Sequence, residues 1–183
     1  MAELTILLAA ARNGDGKAAQ QAFSLLYDDL RRLARSRLRQ HQQFTLLDTT
    51  SLVHESYLKL VGVEALPIED KKHFFTYAST VMRSVIVDFA RARSAERRGG
   101  DADHVVLDTS LSEKLGIPEG DVVRVHEALE VLAQADATLA QTVEMRYFGG
   151  LTEPEIAEAL GISERTVRRN WEKAKLFLTV ELG

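Results

Sequence analysis

Apolar residues recur along most of this chain at steps of three and four, the spacing of one face of an α-helix. Near the start, Phe23, Leu26, Tyr27, Leu30, Leu33 and Ala34 mark one buried face, while Arg31, Arg32, Arg35, Arg37 and Arg39 occupy the others. Leu52, Val53, Tyr57, Leu60 and Val61 predict a shorter helix near 49–61, closed by a loop at 62–67 in which Pro67 is the breaker. From 70 to about 95 the stripe is clearest, running through Phe74, Phe75, Ala78, Val81, Met82, Val85, Ile86 and Phe89. Its C-terminal end carries Arg91, Arg93, Arg97 and Arg98, cations that suit the negative end of a helix dipole. Further on, Val122, Val125, Leu129 and Leu132 predict one helix. Leu139, Val143, Tyr147 and Phe148 predict a second that ends at Gly149-Gly150, and two more follow at 153–160 and 164–179. Strand alternation, internal repeats and low-complexity tracts are missing, so the expected fold is all-α, in two helical domains.

Charge divides the chain. Residues 1–98 hold 15 basic side chains against 11 acidic; residues 121–183 hold 7 against 11. Between them, 99–120 opens with Gly99-Gly100-Asp101-Ala102-Asp103 and holds one Lys against five acids, the composition of an acidic interdomain linker. Such a segment avoids DNA or covers basic surface in the free protein. The total of −4 over 183 residues argues against tight nonspecific nucleic-acid binding, yet clustered cations still serve phosphate contact. With no Cys, disulfides, thiolate metal sites and thiol nucleophiles are excluded. No apolar run approaches the ~20 residues of a membrane span, and the N-terminus lacks the basic start of a signal peptide. The expectation is a soluble, cytoplasmic protein.

The run from Leu151 to Arg169 has the positions of a helix-turn-helix. Thr152 and Glu155 form a capping box, and Pro154 falls in the first turn, where a missing N–H costs little. Ile156, Leu160, Ile162 and Val167 point into the angle between two helices, and the small Ala157 allows close crossing. Gly161 supplies the positive φ of the turn and Ser163 caps the second helix. The alternative is a helical hairpin with no DNA role; six constrained positions at the right spacing favour the DNA-binding reading. Arg165, Thr166, Arg168, Arg169 and Lys173 then occupy the exposed face that enters a major groove, while Trp171 shares the inward stripe with Val167 and Ala174 and reads as core.

The order of segments in the N-terminal half, Tyr27 to Ala34, then Leu52 to Leu60, then Phe74 to Ala78 leading to Val85 to Arg93, resembles the extracytoplasmic function (ECF) group of bacterial sigma-70 family RNA polymerase sigma factors. The resemblance covers about residues 4–98 and 122–180. It implies a region 2-like domain at 1–98, a linker at 99–120 and a region 4-like helix-turn-helix domain at 121–183. In such a protein the 48–61 helix docks on the β′ clamp coiled coil of core polymerase, the C-terminal domain meets the β flap, and the linker threads toward the active-site and RNA-exit channels. The loop at 62–73 captures a flipped −10 base, the 74–98 helix contacts the −10 element, and the C-terminal helix pair reads the −35 element. The residues fit the physics of promoter melting, which needs aromatic faces beside backbone-holding cations. Lys71, Lys72, Phe75, Arg83, Arg91 and Arg93 are the candidate −10 contacts, with at least one of Phe74 and Phe75 expected in the core.

The clamp-binding stretch departs from the group. Where relatives carry several carboxylates, this chain has Asp48-Thr49-Thr50-Ser51-Leu52-Val53-His54-Glu55, keeping Asp48 and Glu55 but holding Thr50 and Ser51 at two expected acidic positions. Each lost interfacial charge pair weakens docking on a basic coiled coil, by about 1–3 kcal/mol or more. Phosphorylation of Thr50, or of Thr49 or Ser51, restores negative charge at a helix N-terminus, so a Ser/Thr kinase becomes a candidate activator. The plain alternative is that these hydroxyls are helix caps. An anti-sigma protein is a further candidate partner, made unnecessary if low intrinsic affinity keeps the protein off. The competing function is a helix-turn-helix regulator that acts without core polymerase. No enzymatic signature is present: His54-Glu55 lacks a second His at the zincin spacing, P-loop and nucleophile-elbow motifs are missing, and no metal or cofactor is implied.

Overall fold

The computed structural model describes residues 2–40, 49–61, 70–98 and 122–182. The expected linker, the loop at 62–67 and Asp48 lie outside the described residues. Within them the chain is all-α: α1 (Ala2–Arg12), α2 (Gly16–Gln40), α3 (Thr49–Val61), α4 (Lys71–Arg98), α5 (Val122–Ala135), α6 (Ala137–Val143), α7 (Glu153–Leu160) and α8 (Glu164–Leu182). α6 runs on into a single π-turn, Glu144–Phe148, in which the Gly149 amide bonds back five residues to the Glu144 carbonyl.

Local chemistry sets the helix starts. Asp15 accepts from the Lys17 and Ala18 amides at the head of α2, Asp70 from His73 at the head of α4, and Asp136 from Thr138 and Leu139 at the head of α6. The helices of the first half pack in chain order, α1 on α2, α2 on α3 and α3 on α4. Leu26, Leu30, Leu33 and Ala34 of α2 are buried as their spacing predicts, and Tyr27 meets Tyr57 of α3 edge-on at 5.3 Å. The second half packs α5, α6, α7 and α8 around Leu129, Val143, Phe148, Ile156, Val167 and Trp171.

α4 is buried on more than one side. Phe75 of the predicted stripe also starts a second row with Ser79, Arg83 and Val87, at steps of four and all buried. α4 packs against α5, the π-turn and α7, so one continuous apolar core runs through both halves. The approach is close: a Cβ on Gly149 would run into the Ser79 hydroxyl.

The polar centre of this junction is Arg83, whose side chain is only 11% exposed. Its Nε donates to Nδ1 of His126 at 2.9 Å, its Nη1 to Glu144 at 3.2 Å, and its Nη2 is paired with Glu130. Arg32 of α2 donates to Glu155 of α7 at 2.7 Å, and the Ser36 hydroxyl to the Gly150 carbonyl at 2.8 Å. The expectation of Arg83 as an outward DNA contact is therefore corrected for this conformation. A cation on a helix that is apolar on several sides is buried, and buried charge requires partners. Phe75, named as a candidate −10 contact, is core beside Phe74, so both aromatics of the predicted stripe are buried.

Burial, and then the Arg83 charge, hold the His126 pKa below its ordinary 6.5, with Glu130 pulling weakly the other way and Arg91 and Glu127 adding small opposed contributions. Burial raises Glu144 above its ordinary 4.5 despite the Arg83 contact. The packed arrangement thus favours neutral His126. Its contribution is full above the ordinary value and is lost as pH falls through 6.5 to the lowered one. Glu144 acts oppositely and nearer the carboxylate range. Acidification from about pH 7.5 to about pH 6 is expected to raise the radius of gyration seen by small-angle scattering. His126→Gln, which keeps an acceptor but takes no proton, is expected to abolish that rise; an unchanged rise would mean another group controls it.

Candidate nucleic-acid interface

The helix pair α7–α8 is built as its sequence demands. The Thr152 amide and hydroxyl both donate to Glu155, at 2.9 and 2.8 Å, completing the capping box, and Pro154 lies in the first turn. Burial acts to raise the Glu155 pKa, but the Thr152 bonds and Arg32 outweigh it and leave the carboxyl below its ordinary value. α7 ends at Gly161, with φ 66° and ψ 32°. The Ile162 amide bonds to the Ala157 carbonyl at 3.0 Å and the Gly161 amide to Glu158 at 3.4 Å, the paired bonds of a left-handed glycine stop. Ser163 then caps α8 by accepting from the Thr166 amide at 3.2 Å. Ile156 and Val167 are fully buried in the angle, and Leu160 and Ile162 are half-buried.

α8 presents two different faces. Val167, Trp171, Ala174, Leu178 and Leu182 are buried. The predicted −35 residues Arg165, Arg168, Arg169 and Lys173 are exposed together on the outer side. Among the described residues Arg165, Arg169 and Lys173 have no ion-pair partner, whereas the Thr166 hydroxyl is tied to Ser163 at 2.9 Å. Arg168 is held differently: its Nε meets Glu153 at 2.8 Å, Glu153 also accepts from Arg146 at 2.9 Å, and Arg146 lies over the Trp171 ring at 4.5 Å. Trp171 is thus core, as expected, and its ring face carries a cation.

The predicted −10 residues are not brought to one surface. Lys72 and Arg91 are exposed. Lys71 pairs with Asp29 at 3.2 Å and lies 5.5 Å from the centre of the Phe75 ring, which Arg32 also approaches at 5.6 Å. Phe75 is therefore a buried support for two cations. Arg83 faces the C-terminal half, and Arg93 lies on α4 with its side chain outside the described set. On α3, Thr50, Ser51 and Glu55 are exposed while Leu52 and Val53 are buried; Thr49 begins the helix. The sequence reading missed Leu58, which is 51% exposed on the same side of α3 as Ser51 and Glu55, a placement readable from their steps of three and four.

The turn at Gly161 has open space around it, so only backbone strain opposes a side chain there. Gly161→Ala is expected to lower stability by about 1–2 kcal/mol and Thr152→Ala by about 1 kcal/mol, both measured by urea unfolding. An unaffected Gly161→Ala would show that the glycine stop does not define the helix pair.

No curated protein and no solved structure matches the chain. The family model for ECF sigma factors matches residues 1–183, its entire length. ECF sigma factors are non-enzymatic transcription factors built of two helical domains that bind RNA polymerase core and promoter DNA. With that match over all 183 residues and an all-α structure, this chain belongs to the ECF sigma factor family and serves as an RNA polymerase sigma factor.

Proposed function

We propose that residues 1–98 bind core polymerase and the −10 element, that 121–183 read the −35 element, and that 99–120 connect them. The observation that carries this division is the outer face of α8, where Arg165, Arg169 and Lys173 stand exposed and unpaired, among the described residues, just beyond a capped glycine turn. Cations at the start of the second helix of such a pair reach base edges and flanking phosphates. On the −10 side, Lys71, Lys72, Arg91 and Arg93 supply backbone contact, and Phe75 supports Lys71 and Arg32 rather than stacking on a base. Since the chemistry of RNA synthesis belongs to the polymerase, the protein works in the cytoplasm as its specificity subunit.

The outward face of α3 is the surface for the β′ clamp, with Glu55 and the preceding Asp48 giving charge and Leu58 an apolar contact. Thr50 is exposed in the first turn of this helix, where the helix dipole favours a phosphate. In this reading a Ser/Thr kinase acting on Thr50, with Thr49 and Ser51 as alternates, supplies the charge that docking lacks, without need of an anti-sigma protein.

The test is transcription by purified core polymerase with this protein, before and after kinase treatment. Promoter-specific transcript is expected only with the modified protein, and Thr50→Ala is expected to stay low in both states. Transcript at full level from unmodified protein and from Thr50→Ala would end the kinase reading. Duplex binding with no transcript in either state would favour the polymerase-independent regulator. Arg165→Ala and Arg169→Ala are expected to weaken binding to a −35 duplex by about 1–3 kcal/mol each where they read a base. A phosphate contact would instead lower the salt slope by about one.

A further inference from the structure

We propose that Arg146, a residue of the π-turn and not of the helix pair, is a positioning residue for −35 recognition: it holds Glu153 so that Arg168 is aimed at a base and still free to leave its carboxylate. This role rests on the assignment of α8 to the −35 element above. Glu153 opens α7 and receives two guanidinium groups, Arg146 on Oε1 at 2.9 Å and Arg168 on Oε2 at 2.8 Å. Each carboxylate oxygen serves one arginine, so Arg168 can depart without disturbing the contact to Arg146. Arg168 also reaches Glu164, one turn back on its own helix, at 3.6 Å.

Arg146 is the fixed member of this trio. Its neighbours in the turn, Met145 and Tyr147, are buried, and the Met145 carbonyl accepts from the Leu151 amide at 3.0 Å, which anchors the backbone beneath it. Its guanidinium lies 4.5 Å from the centre of the Trp171 ring, a second restraint from the core. Arg168 is the mobile member, its side chain 63% exposed against 32% for Arg146. When Arg168 turns to a base edge, its planar fork exchanges the carboxylate for acceptors on the base. Glu153 then stays paired with Arg146 instead of standing unpaired beside incoming phosphates, where like charge would oppose binding. Without Arg146 the carboxylate has more need of Arg168 and retains it, so the arginine that should read a base is tied up.

The test is a double-mutant cycle on the full chain, read as binding to the duplex that wild type selects from a randomised pool and to single-mismatch versions of it. Arg146→Gln is expected to weaken binding to the selected duplex about tenfold, the loss of one base-reading arginine, and to cut its advantage over one mismatch to the same degree. In a Glu153→Gln background the same change is expected to cost less than about twofold, because no carboxylate remains to retain Arg168. The salt dependence of binding is expected to keep its wild-type slope in each variant. Arg146→Met, which leaves an apolar stem on the Trp171 ring, carries the same expectations if Arg146→Gln fails to fold. An equal loss in both backgrounds would overturn the positioning role. With a salt slope lower by about one, that loss would make Arg146 a phosphate contact; with every duplex weakened alike and a lower urea midpoint, it would make Arg146 a structural support. Either result leaves the −35 assignment standing, whereas a wild type that selects no duplex would overturn both.

Discussion

A guanidinium inside a helical junction is costly unless acceptors surround it, and Arg83 is the group on which the arrangement of the two halves depends. Apolar packing between α4 and the C-terminal helices is nearly non-directional, and by itself it would tolerate sliding by a turn. Arg83 does not, because its planar fork must meet His126, Glu130 and Glu144 together. Removal of any one acceptor leaves charge poorly compensated in a largely buried site, which is why the contact fixes register more than it adds stability. The close fit of Gly149 to Ser79 sharpens the same register from the steric side.

Much of the fold was legible because local rules and tertiary packing agree there. The 49–61 helix, the long helix beginning near residue 71, the capping box at Thr152, the left-handed Gly161 and the inward Trp171 all stand where spacing and cap chemistry put them. The junction was not legible. Its stripe on α4, Phe75, Ser79, Arg83 and Val87, sets two polar residues between two apolar ones and is masked by the stronger stripe beside it. The π-turn escaped for a related reason: one extra residue per turn leaves Val143, Tyr147 and Phe148 compatible with an ordinary helix. One signal was available. Glu144 falls within the run from Leu139 to Phe148, and an acid on a core-facing register calls for a buried cation elsewhere in the chain.

Net charge also hid more than it disclosed. A total of −4 describes neither half, since the basic excess lies before residue 99 and the acidic excess after it. Opposite halves attract over roughly a Debye length, about 8–10 Å at ordinary ionic strength, before any contact forms. Acids that close on the N-terminal half come from the folded helices α5 and α7 and from the π-turn. Carboxylates on rigid helices are already oriented when they meet Arg83 and Arg32, so little entropy is lost in forming the contact.

The same distinction separates the cations of α8. Arg168 is oriented by a chain of contacts from Trp171 through Arg146 to Glu153, while Arg165, Arg169 and Lys173 are free to turn. An oriented arginine meets a base edge with less loss of rotamer freedom, but it must give up or share Glu153 to do so. Free side chains lose more freedom and surrender no partner, which suits phosphates whose positions vary little with sequence. On the proposed reading, discrimination among −35 sequences is therefore concentrated at Arg168 and its Glu153 support, and affinity at the three unpaired cations. Glu153→Gln would lower the ratio of cognate to mismatched binding while leaving the salt dependence of binding as it was. A change in salt dependence with the ratio intact would assign Arg168 to phosphate instead.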